Sequence, residues 1–239
     1  MTKEISENIE EYLEVLYRNG NNREQVSTTT ISKNLGIAPG SVTQMLKKLE
    51  SLDYITYIPY KGAILTDKGM KIAQKITRKH RILEKFLLEV LNINKENLHK
   101  QACEMEHSLS DEAERALCQL LEHPNLCPTD CIIPACDFNF NNCDECNSQT
   151  NFEDIDNRNV VLLSLTELNE NSTGEVFFIR GKNDSTKEIR ELGIDIGTTV
   201  TSKTSKISKT NYIRILKEDT DEIKVPWYLS HSIFLKVIG

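Results

Sequence analysis

Cys103, Glu106 and His107 stand at positions i, i+3 and i+4, with His99 one helical turn before Cys103. On an α-helix those positions share one face, so a thiolate, a carboxylate and two imidazoles would turn toward a single point. Soft, hard and intermediate donors together are what a divalent first-row transition metal accepts. Just upstream, His80 and Glu84 repeat the i, i+4 spacing and make a second candidate metal face. Each residue has a plainer use on its own. A His-x-x-x-Glu pair is commonly a surface hydrogen bond, and a lone cysteine is commonly a small buried hydrophobe. Their concentration in one stretch is what argues for metal. No general base, nucleophile or phosphate loop accompanies the ligands, so the expected chemistry is sensing, not turnover, and the chain is read as no enzyme.

Such ligands need rigid elements to hold them. Ile5, Ile9, Tyr12, Leu13, Leu16 and Tyr17 keep helical spacing up to Asn19-Gly20. Thr28 to Leu35 forms a short second helix stopped by Gly36. Pro39-Gly40-Ser41 opens a third, with Val42, Met45, Leu46, Leu49 and Leu52 as its apolar stripe. Helix, tight turn, helix is the helix-turn-helix pattern. Two β-type runs, Tyr54–Ile58 and Ala63–Thr66, flank Pro59-Tyr60-Lys61-Gly62 and read as the hairpin wing of a winged helix.

Winged helices also serve protein contact. Here the exposed positions of the third helix, Ser41, Thr43, Gln44, Lys47 and Lys48, are hydroxyl, amide and ammonium groups suited to phosphate and base-edge contact. Gln44 can bond adenine bidentately, the lysines can hold phosphates, and Lys61 stands at the wing tip. Double-stranded operator DNA is the expected partner.

Apolar periodicity then continues over 66–91 and over a further helix at about 95–122. Two apolar helices after a small winged domain suit a homodimer interface, and winged dimers read pseudo-palindromic sites. From Val160 six short β-rich runs separated by Gly, Asn and Asp turns suggest a small β-barrel. The fold class expected is multi-domain α + β. A winged helix-turn-helix DNA-binding domain at 1–75 precedes a helical dimerisation and metal-binding domain at 76–125. A cysteine-rich bridge at 126–158 leads to a β domain at 159–239.

Charge supports that division. Residues 1–85 carry 14 Lys/Arg against 10 Asp/Glu, a net of +4, while residues 86–239 carry 15 against 26, a net of −11. A basic contact module joined to acidic regulatory domains fits this asymmetry. No apolar run is long enough to span a membrane, and Met1 to Ile5 lead into an acidic amphipathic stretch without a signal-peptide core, so a cytoplasmic protein is expected. Neither membrane nor small organic substrate enters the reading.

Cys127, Cys131, Cys136, Cys143 and Cys146 crowd the bridge, with Cys118 in the helical region before it. In a reducing compartment such clustering favours metal over disulfides. Four of the five as a structural Zn²⁺ knuckle is the first reading. An iron–sulfur cluster is the second, and free thiols are the plain alternative. The bridge has too little apolar periodicity for a core of its own.

The segments Arg78-Lys79-His80-Arg81-Ile82-Leu83-Glu84 and His99 through Glu112 resemble the diphtheria-toxin-repressor family of iron- or manganese-dependent transcriptional repressors. Ser41-Val42-Thr43-Gln44 is similar to that family's recognition helix. Residues 160–239, notably Arg190-Glu191-Leu192-Gly193-Ile194, resemble its C-terminal SH3-like domain of the ferrous-iron-transport type. The resemblance implies a regulatory metal site of Cys103, Glu106 and His107 completed from the first helix by Glu11, with Glu14 able to join. It implies an ancillary site of His80, Glu84 and His99. The stretch Gly181-Lys182-Asn183-Asp184, where iron-type relatives complete that second site, offers no clean equivalent, and Asp184 is left unassigned. Cys103 is soft and points to Fe²⁺; Glu11 is hard and points to Mn²⁺; Fe²⁺ is favoured. The function expected is a metal-dependent repressor in which the divalent metal is corepressor. The rival is a redox or iron–sulfur sensor built on the bridge cysteines.

Overall fold

The computed structural model describes residues 5–20, 24–181, 183–203, 212–217 and 222–238, and the side chains of Asn183, Asp184 and Tyr212 lie outside that description. The chain divides into two compact units, 1–77 and 78–239.

The first unit carries α1 (Glu7–Asn19), α2 (Thr28–Leu35), α3 (Pro39–Ser51), β1 (Ile55–Ile58), β2 (Gly62–Leu65) and the start of α4 (Asp67–Glu89). Ser27 caps α2 by accepting from the Thr30 amide at 3.1 Å, and Gly36 ends it in the left-handed region at φ 67°. β1 and β2 pair antiparallel from Ile55 opposite Leu65 to Ile58 opposite Gly62. Gly62 is required there: its φ is 125°, and a Cβ would stand 1.9 Å from the Val26 carbonyl oxygen. Leu13, Ile31, Val42, Leu46 and Leu49 are fully buried, so the stripes that predict three helices are the ones that form the core.

The second unit begins inside α4 and continues through α5 (Lys95–Glu106), α6 (Asp111–Leu120) and α7 (Cys143–Ser148). Leu83, Leu87, Leu98 and Ala102 bury together, with Leu109 and Leu117 packed against them. The single helix expected over about 95–122 is in fact two. His107 closes α5, and the Ser110 hydroxyl accepts from the Ala113 amide at 3.1 Å to open α6. Asp111, Glu112 and Glu114 in the first turn of α6 favour a helix start at that point.

The bridge is better ordered than its composition implies. Ile133 is fully buried beside Ile82, Cys118 and Cys127, and Cys143 packs with Leu162, Phe178 and Phe234. Its core is borrowed from the elements on either side, which is why no periodicity marks it.

Beyond it lies a six-stranded antiparallel sheet of order β3-β8-β4-β5-β6-β7. The strands are β3 (Leu163–Ser164), β4 (Thr173–Ile179), β5 (Thr199–Ser202), β6 (Tyr212–Lys217), β7 (Glu222–Pro226) and β8 (Ile233–Ile238). All six strands were legible as β-rich runs; α8 (Asn183–Glu191) and the short α9 (Trp227–Ser230) were not. The β4–β8 pairing shifts between Val176 and Phe178, the local irregularity of a β-bulge.

Candidate metal centre and nucleic-acid interface

In the first unit, α3 lays its apolar stripe inward and leaves Ser41, Gln44, Lys47 and Lys48 exposed. Thr43 is half-buried, and its hydroxyl donates to the Pro39 carbonyl at 3.0 Å, a local bond that occupies the donor. Lys61 is exposed at the β1–β2 turn. Beside it, Tyr60 stands wholly in solvent at φ 64°. The Pro59-Tyr60-Lys61-Gly62 turn thus carries an aromatic as well as a cation at its tip. On α1, Glu11 is exposed and Glu14 is buried.

In the second unit, four consecutive side chains of α4 fan out to four anchors. The Arg78 guanidinium meets the Glu114 carboxylate at 2.6 Å and donates to the Pro134 carbonyl at 2.7 Å. Lys79 Nζ donates to the Leu109 carbonyl at 2.5 Å and pairs with Asp111 at 3.1 Å. His80 turns toward α5, and Arg81 donates to the Ile132 carbonyl. α4 is thus fixed against the α5–α6 corner and the bridge, with His80 held at the centre.

His80 joins the two sets of candidate ligands. Its Nδ1 lies 2.5 Å from Glu106 Oε2, and its Nε2 lies 3.1 Å from Glu84 Oε1 and 3.0 Å from His99 Nδ1. Cys103 Sγ stands 3.8 Å from both His80 Nδ1 and His99 Nε2. One donor atom from each of His80, His99 and Cys103 falls within a span of 4.8 Å. Three donors of that softness at that separation fit a single transition-metal ion. His107 Nε2 lies 3.5 Å from Glu106 Oε1. The candidate ligands of α4 and α5 from both sets, His80, Glu84, His99, Cys103, Glu106 and the capping His107, therefore form one continuous cluster, to which Glu11 of the first unit is not assigned.

The hydrogen bonds of the cluster set its charge. Burial of Glu84 opposes its ionisation, but hydrogen bonds from His80 and His99 outweigh it and hold the carboxyl at about 2. Hydrogen bonding to Cys103 and then to Glu84 lifts His99 to about 9. Burial raises the Cys103 thiol, yet the same two imidazoles bring it below its usual value, as befits a thiol that ligates as the thiolate. Carboxylates on both sides of the His80 ring fix its orientation, the role that outer partners play around ligating histidines.

Among the bridge cysteines, Cys127, Cys143 and Cys146 are buried, Cys136 is half-buried and Cys131 is exposed. Cys127 Sγ lies 3.1 Å from the Thr129 hydroxyl. Lys182 and the side chain of Asp184 fall outside the described set.

A helix-turn-helix with a polar exposed third helix, followed by helices that gather His, Cys and Glu, defines a metal-binding DNA-binding regulator. Two family models match end to end: the iron dependent repressor N-terminal DNA binding domain over residues 4–63, and the iron dependent repressor metal binding and dimerisation domain over residues 66–135. An uncharacterized HTH-type transcriptional regulator of Methanocaldococcus jannaschii is 44% identical over 110 residues, 45% of this chain and 87% of that protein. The HTH-type transcriptional regulator MntR of Oceanobacillus iheyensis is 35% identical over 102 residues, 43% of this chain and 69% of that protein. The crystal structure of T. acidophilum IdeR aligns over 99% of this chain and 100% of that one, with 21% identity and a TM-score of 0.48. The chain belongs to the iron-dependent repressor family, the family its helical motifs resemble, and is a metal-dependent transcriptional regulator.

Proposed function

We propose that the protein is a homodimeric repressor that binds operator DNA of metal-homeostasis genes when a divalent metal, Fe²⁺ before Mn²⁺, occupies the cluster on α4 and α5. The observation that carries this reading is the convergence of His80, His99 and Cys103 donors within 4.8 Å beside the buried Glu106 carboxylate. The thiolate is the reason Fe²⁺ is placed first, since soft ligands disfavour manganese relative to an all-oxygen set.

In this reading His80 and His99 offer ring nitrogens, His99 and Cys103 giving up to solvent the protons they hold in the metal-free cluster, and Glu106 and His107 complete the set from the end of α5. Glu84 orients His80. Bound metal supplies a positive centre that holds negatively charged and neutral donors of separate elements together. The family resemblance adds a carboxylate of α1, Glu11 first and Glu14 as the buried alternative. Such a ligand couples the helix-turn-helix to metal status, and the coupling is reciprocal, so DNA must tighten metal binding by the same factor. On the DNA side Gln44 reads a base edge, Ser41 supports the helix on the backbone, Thr43 steadies the first turn of α3 through its bond to Pro39, and Lys47, Lys48 and Lys61 hold phosphates. Val90, Leu91, Met105 and Leu120 are exposed apolar side chains of the second unit, the kind of surface a dimer covers. The finer division into 1–75, 76–125, 126–158 and 159–239 is retained as part of this proposal.

Equilibrium dialysis of the full chain against Fe²⁺ or Mn²⁺ tests the site. Cys103→Ala and Glu106→Ala should each lose at least one tightly held metal ion per chain relative to wild type, and unchanged stoichiometry and affinity in both would reject it.

A further inference from the structure

A second concentration of sulfur lies apart from the Cys103 cluster. Cys118 from α6, Cys136 from the bridge, and Cys143 and Cys146 from α7 line one cavity, together with three arginines. Arg78, Arg115 and Arg180 are all at least nine-tenths buried. Arg78 Nη2 lies 3.0 Å from Cys118 Sγ, and Arg115 Nε lies 3.4 Å from Cys146 Sγ. Arg115 Nη2 also donates to the Cys146 and Gln149 carbonyls, and Arg180 donates through Nη1 to the Pro124 and Ile133 carbonyls and through Nη2 to that of Pro134. Among the described residues only Arg78 of the three has a carboxylate partner, Glu114.

Buried guanidinium charge without anions is costly, and a thiolate-ligated metal centre in the same cavity would supply the missing negative charge. The spacing selects which kind. Zinc holds each sulfur at about 2.3 Å, which requires the four to stand roughly 3.8 Å apart. Among the described residues, the sets of three or more donors within 4.8 Å of one another contain none of these four cysteines. Sulfurs spread more widely suit a polynuclear centre, in which each thiolate binds its own iron.

We propose that Cys118, Cys136, Cys143 and Cys146 hold a [4Fe–4S] cluster, with Arg78, Arg115 and Arg180 as its cationic surround. Each thiol releases its proton to solvent as it binds iron, and the net negative thiolate-ligated cluster neutralises the arginines. Guanidinium N–H groups directed at ligand sulfurs are among the levers that set a cluster's potential. His123, whose Nδ1 lies 3.5 Å from Cys118 Sγ and whose Nε2 lies 2.9 Å from Asn147 Oδ1, is a positioning residue at the same sulfur. This assignment recruits Cys118, outside the bridge, and excludes Cys127 and Cys131, neither of which lines the cavity.

The test is anaerobic reconstitution of the full chain with iron and sulfide, followed by iron and acid-labile sulfide analysis and visible absorbance. Wild type should bind roughly four sulfides per chain with a broad brown absorbance. Cys118→Ser and Cys143→Ser should lose both, while Cys131→Ser and Cys103→Ala keep them. Iron at the Cys103 cluster brings no sulfide, so the Cys103→Ala arm separates failure of this site from failure of the regulatory one. Colourless wild type holding zinc without sulfide would overturn the proposal, as would loss of the cluster in Cys131→Ser or its retention in Cys118→Ser. Because Cys118 is buried and its variant is open to misfolding, the wild-type sulfide content and the Cys131→Ser arm each decide independently of it.

Discussion

His80 Nδ1 and Glu106 Oε2 lie 2.5 Å apart, one on α4 and the other at the end of α5. Through this contact the histidine of one candidate ligand set is bonded to the carboxylate of the other. His80→Ala should therefore weaken metal-activated DNA binding more than His99→Ala, because it also frees Glu106, which is 1% exposed. Cys103→Ala, Glu106→Ala and His107→Ala should each abolish activation within the range where wild type responds. Anisotropy titrations of labelled DNA with metal, variant by variant, measure the order; equal effects of His80→Ala and His99→Ala would separate the two sets.

The two carboxylates of α1 differ in environment, Glu11 exposed and Glu14 buried. If Glu11 is the metal ligand, Glu11→Met should shift preference from Mn²⁺ toward softer metals. If Glu14 carries the role, Glu14→Ala alone should lower metal-activated DNA binding, with Glu11→Met indistinguishable from wild type. Parallel titrations with Mn²⁺ and Fe²⁺ read the difference.

On α3, Gln44→Ala should cost about 1–3 kcal/mol at one base pair and relax preference there, whereas Lys48→Ala should weaken every sequence alike and reduce the salt slope by about one. Their exposure beside buried Val42, Leu46 and Leu49 is the basis of the assignment. Binding of both variants at wild-type strength and salt dependence would remove α3 from the interface.

The break between α5 and α6 is capped by Ser110. Ser110→Ala should lower stability by about 1 kcal/mol, measured as a shift in urea midpoint at unchanged slope, and Ser110→Asp should restore most of it. Gly62→Ala should do more harm, at least about 2 kcal/mol, because both its φ of 125° and the Val26 carbonyl oppose a side chain.

The winged unit and the six strands were legible because each element carries its own period. Ile31, Leu46 and Leu49 mark helix faces, and the runs of β4 through β8 alternate between Gly, Asn and Asp turns. The α5–α6 break was not read because Leu98 through Leu120 keep an apolar period across it; the contrary signal was Ser110 followed by acidic residues. The helical metal ligands share short sequence spacings, so Cys103, Glu106 and His107 could be singled out. Cys118 could not, since 17 residues separate it from Cys136, its partner at the cavity. Arg78, Arg115 and Arg180 were equally hidden: charge in a helix or strand ordinarily means a solvated face, and only tertiary packing buries it.

If metal at the α4–α5 cluster licenses operator binding, DNA affinity must follow metal occupancy in both directions. Metal-free protein titrated separately with Fe²⁺, Mn²⁺ and Zn²⁺ and then reversed with chelator measures this. Specific binding should be negligible without metal, tighten with Fe²⁺ at the lowest free concentration and with Mn²⁺ next, and be lost on chelation. Operator binding of equal strength in the metal-free protein and in every titration would contradict it.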